Sequence, residues 1–311
     1  MTKTLVTGGA GFIGSHIVRA LLERGDDVRI LDNFSTGKRD NIAGLDVELI
    51  EGDIRNSEAL AASLEDVDFV FHQAAFVSVP QSMDVPTACL DVNVNGTGML
   101  FEAAQQAGVK RVVFASSAAV YGEADAFPLT EAVPPEPYLS PYAASKRVDE
   151  LYAQLFTQSF GLEVTALRYF NVYGPRQAPD SQYAAAVPIF ISRMMNGKVV
   201  TINGDGGQTR DLIYVGDVAR ANLMVADSPA AAGGIFNICT GRETSILNLV
   251  ESLADVFPDA PAPVFGPPRA GDIYRSVGSA QKAKETFGFE AQTALMDGMR
   301  ATANWMKEKL K

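Results

Sequence analysis

Tyr142 and Lys146 stand four residues apart in SPYAASKRVDELYAQLF, a stretch whose spacing and Ser140-Pro141 opening predict a helix. Side chains four apart on a helix share a face. An ammonium beside a phenol favours the phenolate, so Tyr142 is placed to take a proton from a bound hydroxyl. Ser117, in ASSAAVYG at the end of an apolar run, offers a hydroxyl that can hydrogen-bond an oxygen as it becomes a carbonyl. Such a constellation carries out an oxidation only if a hydride acceptor lies beside it.

The residues that would hold such an acceptor come first in the chain. LVTGGAGFIGSH, residues 5–16, contains Gly9, Gly11 and Gly14 in the spacing GxGxxG, between an apolar run and a helical pattern. Glycines there permit a tight turn and close approach of a pyrophosphate, while free N–H groups at the helix start meet its negative charge. Asp32 ends the second apolar run, 18 residues after Gly14. A carboxylate at that place accepts from ribose hydroxyls and repels a 2′-phosphate, so NAD is favoured over NADP. Gly52-Asp53-Ile54 can bracket the adenine. Gln73-Ala74-Ala75 is small enough for a dinucleotide to cross the sheet.

These residues need a scaffold, and the first half of the chain supplies one. Six β-branched runs, TLVTG, VRILD, VELIEGD, VDFVFHQAA, VKRVVFASS and EVTALRYFN, alternate with longer helical stretches. Their nearly unbroken apolar character suits strands buried on both faces of a parallel sheet. The expected fold is therefore α/β, a Rossmann-type doubly wound parallel sheet with a smaller C-terminal α+β substrate-binding lobe. Residues 1–171 form the NAD-binding domain and 172–311 the lobe, with strands of the second half able to return to the first sheet.

The 311 residues carry 26 Lys and Arg against 37 Asp and Glu, a formal charge of −11, which repels nucleic acid. An anionic small substrate then needs arginines placed locally. His16 and His72 are the only histidines and Cys89 and Cys239 the only cysteines, too few and too scattered for a metal centre or a His-based triad. No apolar run approaches the roughly 20 residues of a membrane span. Glycines near the start interrupt the apolar region that a signal peptide requires. The expectation is a cytoplasmic protein with no metal and no membrane association.

TGGAGFIG, the NxxG at Asn93 to Gly96, SSAAVYG, YAASK, RYFNVYGPRQ, NGDGGQTRDLIYVGD and PPRAGD, in that order, resemble the extended short-chain dehydrogenase/reductase family. The likeness is to nucleotide-sugar epimerases of the UDP-galactose 4-epimerase type and runs nearly the whole chain. It implies that Gly8, Gly11, Phe12, Ile13 and Gly14 contact the pyrophosphate, with Asp32, Asn33, Ser35 and Thr36 around the adenosine ribose. Asp53, Ile54, Gln73, Ala74, Ala75, Asn93 and Phe170 complete the cofactor site with Tyr142 and Lys146. It further implies that Asn171, Val187, Thr201, Asn203, Arg210, Arg269 and Asp272 hold the UDP half of the substrate. Arg210 and Arg269 are also the local cations that a diphosphate demands of an acidic protein.

Related dehydratases and decarboxylases carry acidic groups just after the serine, where this chain has Ala118 and Ala119. With no carboxylate there, the simplest fate of a 4-keto intermediate is to turn over and receive the hydride on its other face. The implied activity is C4 epimerisation of a UDP-hexose, with tightly bound NAD regenerated in each cycle. By the same resemblance Ser276 leaves room for an N-acetyl group, and Ser78 and Ser82 fit the subgroup acting on acetylated sugars. UDP-Glc/UDP-Gal and UDP-GlcNAc/UDP-GalNAc are the expected pairs. A uronic-acid substrate, a dehydratase and a non-catalytic NAD-binding scaffold are the alternatives. Apolar surface on helices near 87–107 and 142–160 suits a homodimer through a four-helix bundle.

Overall fold

The computed structural model describes residues 1–134, 138–179, 186–268 and 273–309. The strands, in chain order, are β1 (Lys3–Thr7), β2 (Asp27–Asp32), β3 (Glu48–Glu51), β4 (Phe69–His72), β5 (Arg111–Ser117), β6 (Glu163–Tyr169), β7 (Asn171–Tyr173), β8 (Thr201–Asn203), β9 (Thr209–Arg210), β10 (Leu212–Tyr214), β11 (Ile235–Ile238), β12 (Thr244–Ser245), β13 (Val264–Gly266) and β14 (Arg275–Ser276). Seven of them make one sheet in the order β11-β6-β5-β4-β1-β2-β3, and every pairing in it is parallel. This is the Rossmann-type doubly wound sheet expected.

The chain winds outward from β1 to β3 and then restarts on the other side of β1 with β4. The reversal opens a crevice between the carboxyl ends of β1 and β4, the place where such sheets receive ligands. Thr7, Asp32, His72 and Ser117 all lie at carboxyl ends of strands around it.

The helices are α1 (Phe12–Arg24), α2 (Ser57–Leu64), α3 (Val79–Asp84), α4 (Pro86–Leu90), α5 (Gly96–Gln106), α6 (Pro141–Ser159), α7 (Ala186–Met195), α8 (Val215–Asp227), α9 (Ile246–Ala254), α10 (Gln281–Phe287) and α11 (Leu295–Lys309). Each face of the sheet has its own apolar cluster. One joins Val6, Ile17, Leu21 and Ile30 to Val218 and Phe236, and the other joins Leu5, Leu31, Leu100 and Phe101 to Val112 and Phe114. Each such fully buried side chain contributes roughly 1.5–3 kcal/mol. α8, β11 and α10 thus return to the first sheet, since Val218, Phe236 and Ala283 sit in the same cluster as α1.

A third cluster, with Tyr173, Ile191, Met194, Leu253 and Met299, is the core of the smaller lobe. Short sheets serve it: β7 with β10, β8 with β13, and β9 flanked by β12 and β14. The helical region read at 87–107 is not one regular helix, because a five-residue π turn, Asp91–Asn95, separates α4 from α5. The extra residue in such a turn re-aims a side chain, and here Asn93 is the one turned inward.

Candidate active site

The turn after β1 is built around two glycines. Gly8 has φ +67°, and a Cβ there would come within 2.7 Å of the Ala74 backbone nitrogen, across the crevice between β1 and β4. A Cβ on Gly14 would collide with the Gly8 carbonyl. The backbone can therefore be approached closely, as a pyrophosphate needs. Gly11 caps α1 with no side-chain hydrogen bond, and no acidic residue occupies the first turn. Phe12 and Ile13 form the start of that turn. A helix end of this kind presents N–H groups and a positive dipole to an anion, so these residues fit a dinucleotide.

Asp32 is buried at the end of β2, where one carboxylate oxygen accepts from the Ala10 N–H at 2.9 Å and the other from the Phe34 N–H at 2.8 Å. Burial pushes its pKa up. Asn33, Ser35 and Thr36 follow it on the exposed loop. Asn33 donates to Asp53 at 2.8 Å, and Arg55 grips the same carboxylate from two sides at 2.8 Å. The Arg55 hydrogen bonds hold Asp53 well below the usual carboxylate range. Ile54 is buried beside it, and its side chain would meet a Cβ on Gly96.

Gln73, Ala74 and Ala75 continue β4 into the crevice. The Gln73 amide reaches the Tyr169 hydroxyl at 3.2 Å. Asn93, fully buried, accepts from the Phe76 N–H at 2.7 Å and donates to the Phe76 carbonyl at 3.1 Å and to Ser145 at 2.9 Å. Its amide is spent on the loop after β4, so it shapes the crevice wall by holding that loop against α6. Phe170 is buried beside Tyr121, with ring centroids 6.4 Å apart.

Ser117 ends β5 and its Oγ accepts from the Ala119 N–H at 3.1 Å, which opens a short turn packed against α6. Ser140 caps α6, accepting from the Ala143 N–H at 3.1 Å, with Pro141 in the first turn. The backbone N–H of Tyr142 donates to the buried Ser82 at 3.3 Å, tying this helix start to α3. Ser78 caps α3, accepting from the Gln81 N–H at 3.2 Å. Tyr142 is half-buried, whereas Lys146 is only 2% exposed.

Three groups below Lys146 were not singled out from the sequence. Asp149 lies one turn further on, fully buried, with its Oδ2 3.6 Å from the Lys146 Nζ. His72 is wedged between the hydroxyls of Thr7 at 2.7 Å and Thr97 at 3.0 Å. Burial and the nearby Lys146 push its pKa down to about 3, so it is a neutral imidazole. The Glu150 carboxylate is buried against Arg168 at 2.7 and 2.8 Å and Ser116 at 2.7 Å. An acid one turn after Lys146 was visible in the sequence, but not its complete burial.

On the lobe side, Val187 is buried in α7, Thr201 and Asn203 are exposed on β8, and Asn171 is exposed at the start of β7. Arg210 and Ser276 face each other in the β9–β14 pairing. Arg269 and Asp272 lie outside the described residues. Among the described residues, no group of three or more His, Cys, Asp or Glu can hold a metal ion, and no helix is long and apolar enough to cross a membrane.

The architecture has close counterparts. The UDP-glucose 4-epimerase of Thermotoga maritima, solved with UDP-glucose, superposes with a TM-score of 0.95 at 39% identity, covering 100% of both chains. A UDP-N-acetylglucosamine 4-epimerase of Methanobrevibacter ruminantium, in complex with UDP-N-acetylmuramic acid, gives 0.95 and 39% over 99% of each chain. The UDP-glucose 4-epimerase of Thermus thermophilus, solved with NAD, gives 0.90 and 40% over 98% of this chain and 99% of its own. Relatives also include decarboxylases and dehydratases. Residues 4–239, which span the glycine turn, Asp32, Ser117, Tyr142 and Lys146, match the family model itself. The protein is a member of the NAD dependent epimerase/dehydratase family, with NAD as its cofactor.

Proposed function

We propose that the protein is a UDP-sugar 4-epimerase. The observation that carries this reading is the placement of Tyr142 and Lys146 four residues apart on α6, a helix packed against the strand end that bears Ser117, with Ala118 and Ala119 next in line. NAD, when bound, supplies an acceptor for the C4 hydrogen of the sugar and returns it. The glycine turn with Gly8, Gly11, Phe12, Ile13 and Gly14 would hold its pyrophosphate, and Asp32 its ribose.

Tyr142 takes the proton from the sugar C4 hydroxyl and gives it back after the ring has turned. Lys146 stabilises the phenolate that this requires, and Ser117 hydrogen-bonds the C4 oxygen while it is a carbonyl. Ala118 and Ala119 provide no acid or base for elimination at the neighbouring carbons, which favours return over dehydration. The fold's first half, with the segments that return to it, holds the cofactor. The lobe after residue 172 takes the nucleotide sugar, with Arg210 the described cation suited to a diphosphate in a protein of charge −11.

Ser276, opposite Arg210, is small, so the pocket would accept an N-acetyl group as well as a hydroxyl. Both UDP-Glc/UDP-Gal and UDP-GlcNAc/UDP-GalNAc are expected to interconvert. α4 and α6 pack together and leave Leu90, Leu151 and Leu155 exposed at 41%, 49% and 45%, a face that a second copy would cover in a homodimer. The test is to incubate the purified protein with UDP-Gal and, separately, UDP-GalNAc and follow the anomeric signals by NMR. Epimerised product from both supports the reading. A 4-keto-6-deoxy product points to a dehydratase, and no change with either sugar refutes the activity.

A further inference from the structure

Asp149 is a buried ionisable group that the chemistry above leaves unused. It sits on α6 one turn beyond Lys146, with no exposed surface, and neither carboxylate oxygen has a hydrogen-bond partner among the described residues. A bare carboxylate in a dry site costs several kcal/mol unless a cation answers it. The groups facing it identify that cation. Glu150, next along the helix, is already engaged by Arg168 at 2.7 Å and Arg147 at 3.1 Å. From α4 comes the Cys89 thiol, which burial keeps protonated, and at the end of β4 lies the neutral His72 facing Lys146. Lys146, 3.6 Å away and itself buried, is the counter-charge.

We propose that Asp149 is a positioning residue for the reaction: acting through Lys146, its carboxylate sets the pH range over which Tyr142 serves as the proton acceptor. The role rests on the epimerase reading of Tyr142 and Lys146 but concerns a residue outside that pair. The same ammonium has to serve two anions, the phenolate above it and the carboxylate below it. A charge on Asp149 draws the ammonium downward and repels the developing phenolate, and both effects oppose ionisation of Tyr142. When Asp149 holds a proton, the whole of the Lys146 charge is available to the phenol. Burial pushes the Asp149 pKa up to about 7, so its charge changes within the range where such an enzyme works. Seven helical residues span ~10 Å, and at an effective dielectric of about 20 a charge at that distance moves a titration by about one pH unit.

The experiment compares the wild type with Asp149→Asn and Asp149→Val, which are both neutral, and with Asp149→Glu, which keeps the charge. Two readouts are taken on the purified, NAD-loaded protein. One is the ultraviolet titration of the Tyr142 phenolate, isolated by subtracting the Tyr142→Phe protein, and it needs no substrate. The other is the acid limb of kcat on UDP-galactose, with KM measured at each pH. The expected result is a shift of both curves to lower pH by about one unit in the Asn and Val variants, wild-type curves in the Glu variant, and unchanged KM. A fall in kcat with both curves unmoved means that Asp149 only packs the helix, and overturns the proposal. A displaced phenolate titration in a protein that turns over no UDP-sugar refutes the epimerase reading while upholding the coupling.

Discussion

Replacing Asp149 with Asn should change the pH dependence of stability in a direction that the burial of the carboxylate dictates. The group ionises near 3.8 when solvated and near 7 in the folded protein. The folded state therefore binds the proton more tightly than the unfolded chain. Between about pH 4 and pH 7 the unfolded state loses its proton first, so stability falls as pH rises, and the loss is complete above about pH 7. A gap of about three pH units, at about 1.4 kcal/mol each, is roughly 4 kcal/mol. Asn cannot ionise, so the variant escapes this loss at every pH. The stranded Lys146 ammonium does not disturb the comparison, because wild-type protein with Asp149 protonated strands it equally. The stability of Asp149→Asn minus that of the wild type should thus climb by roughly 4 kcal/mol from pH 4 to pH 8. Urea unfolding at half-unit pH steps, at fixed NAD concentration since bound ligand adds its own stabilisation, measures that difference. A difference that stays flat across the range would refute the reasoning, because a carboxylate with no perturbation of its own gives no slope.

Tyr142→Phe should bind NAD and UDP as the wild type does and lose roughly 10²–10⁴-fold in kcat, because only the proton acceptor is removed; equal loss of binding, read by calorimetry, would make this tyrosine structural. Gly14→Ala should empty the cofactor site, since the Gly8 carbonyl that its Cβ would strike is backbone and cannot retreat; NAD released on acid precipitation should fall at least ~10-fold per mole of protein. Arg168→Met should cost roughly 3–5 kcal/mol by denaturant unfolding, because it leaves the Glu150 carboxylate buried with Arg147 as its one remaining cation and the Ser116 hydroxyl as its other partner. With the proposed homodimer formed through the exposed face of α6, Leu155→Glu should halve the mass seen by light scattering without changing the circular dichroism spectrum.

Much of this molecule can be read along the chain. Each of the six predicted runs overlaps a strand of the parallel sheet, and the Ser140-Pro141 opening, the shared face of Tyr142 and Lys146 and the turn at Gly8 to Gly14 are local features. They depend on backbone sterics, helical periodicity and capping between residues a few positions apart, so neighbouring letters suffice to specify them. Tertiary structure alone decided the rest. It returned β11 to the edge of the first sheet beside β6, and it spent the Asn93 amide on Phe76, 17 residues earlier, and on Ser145, 52 residues later. It sealed Glu150 against Arg168 from a different element, and it stripped Asp149 of water so that its one answering charge is the lysine of the site. Periodicity tells which face of a helix turns inward; what waits there, and how dry it is, depends on residues that meet only after the sheet has formed.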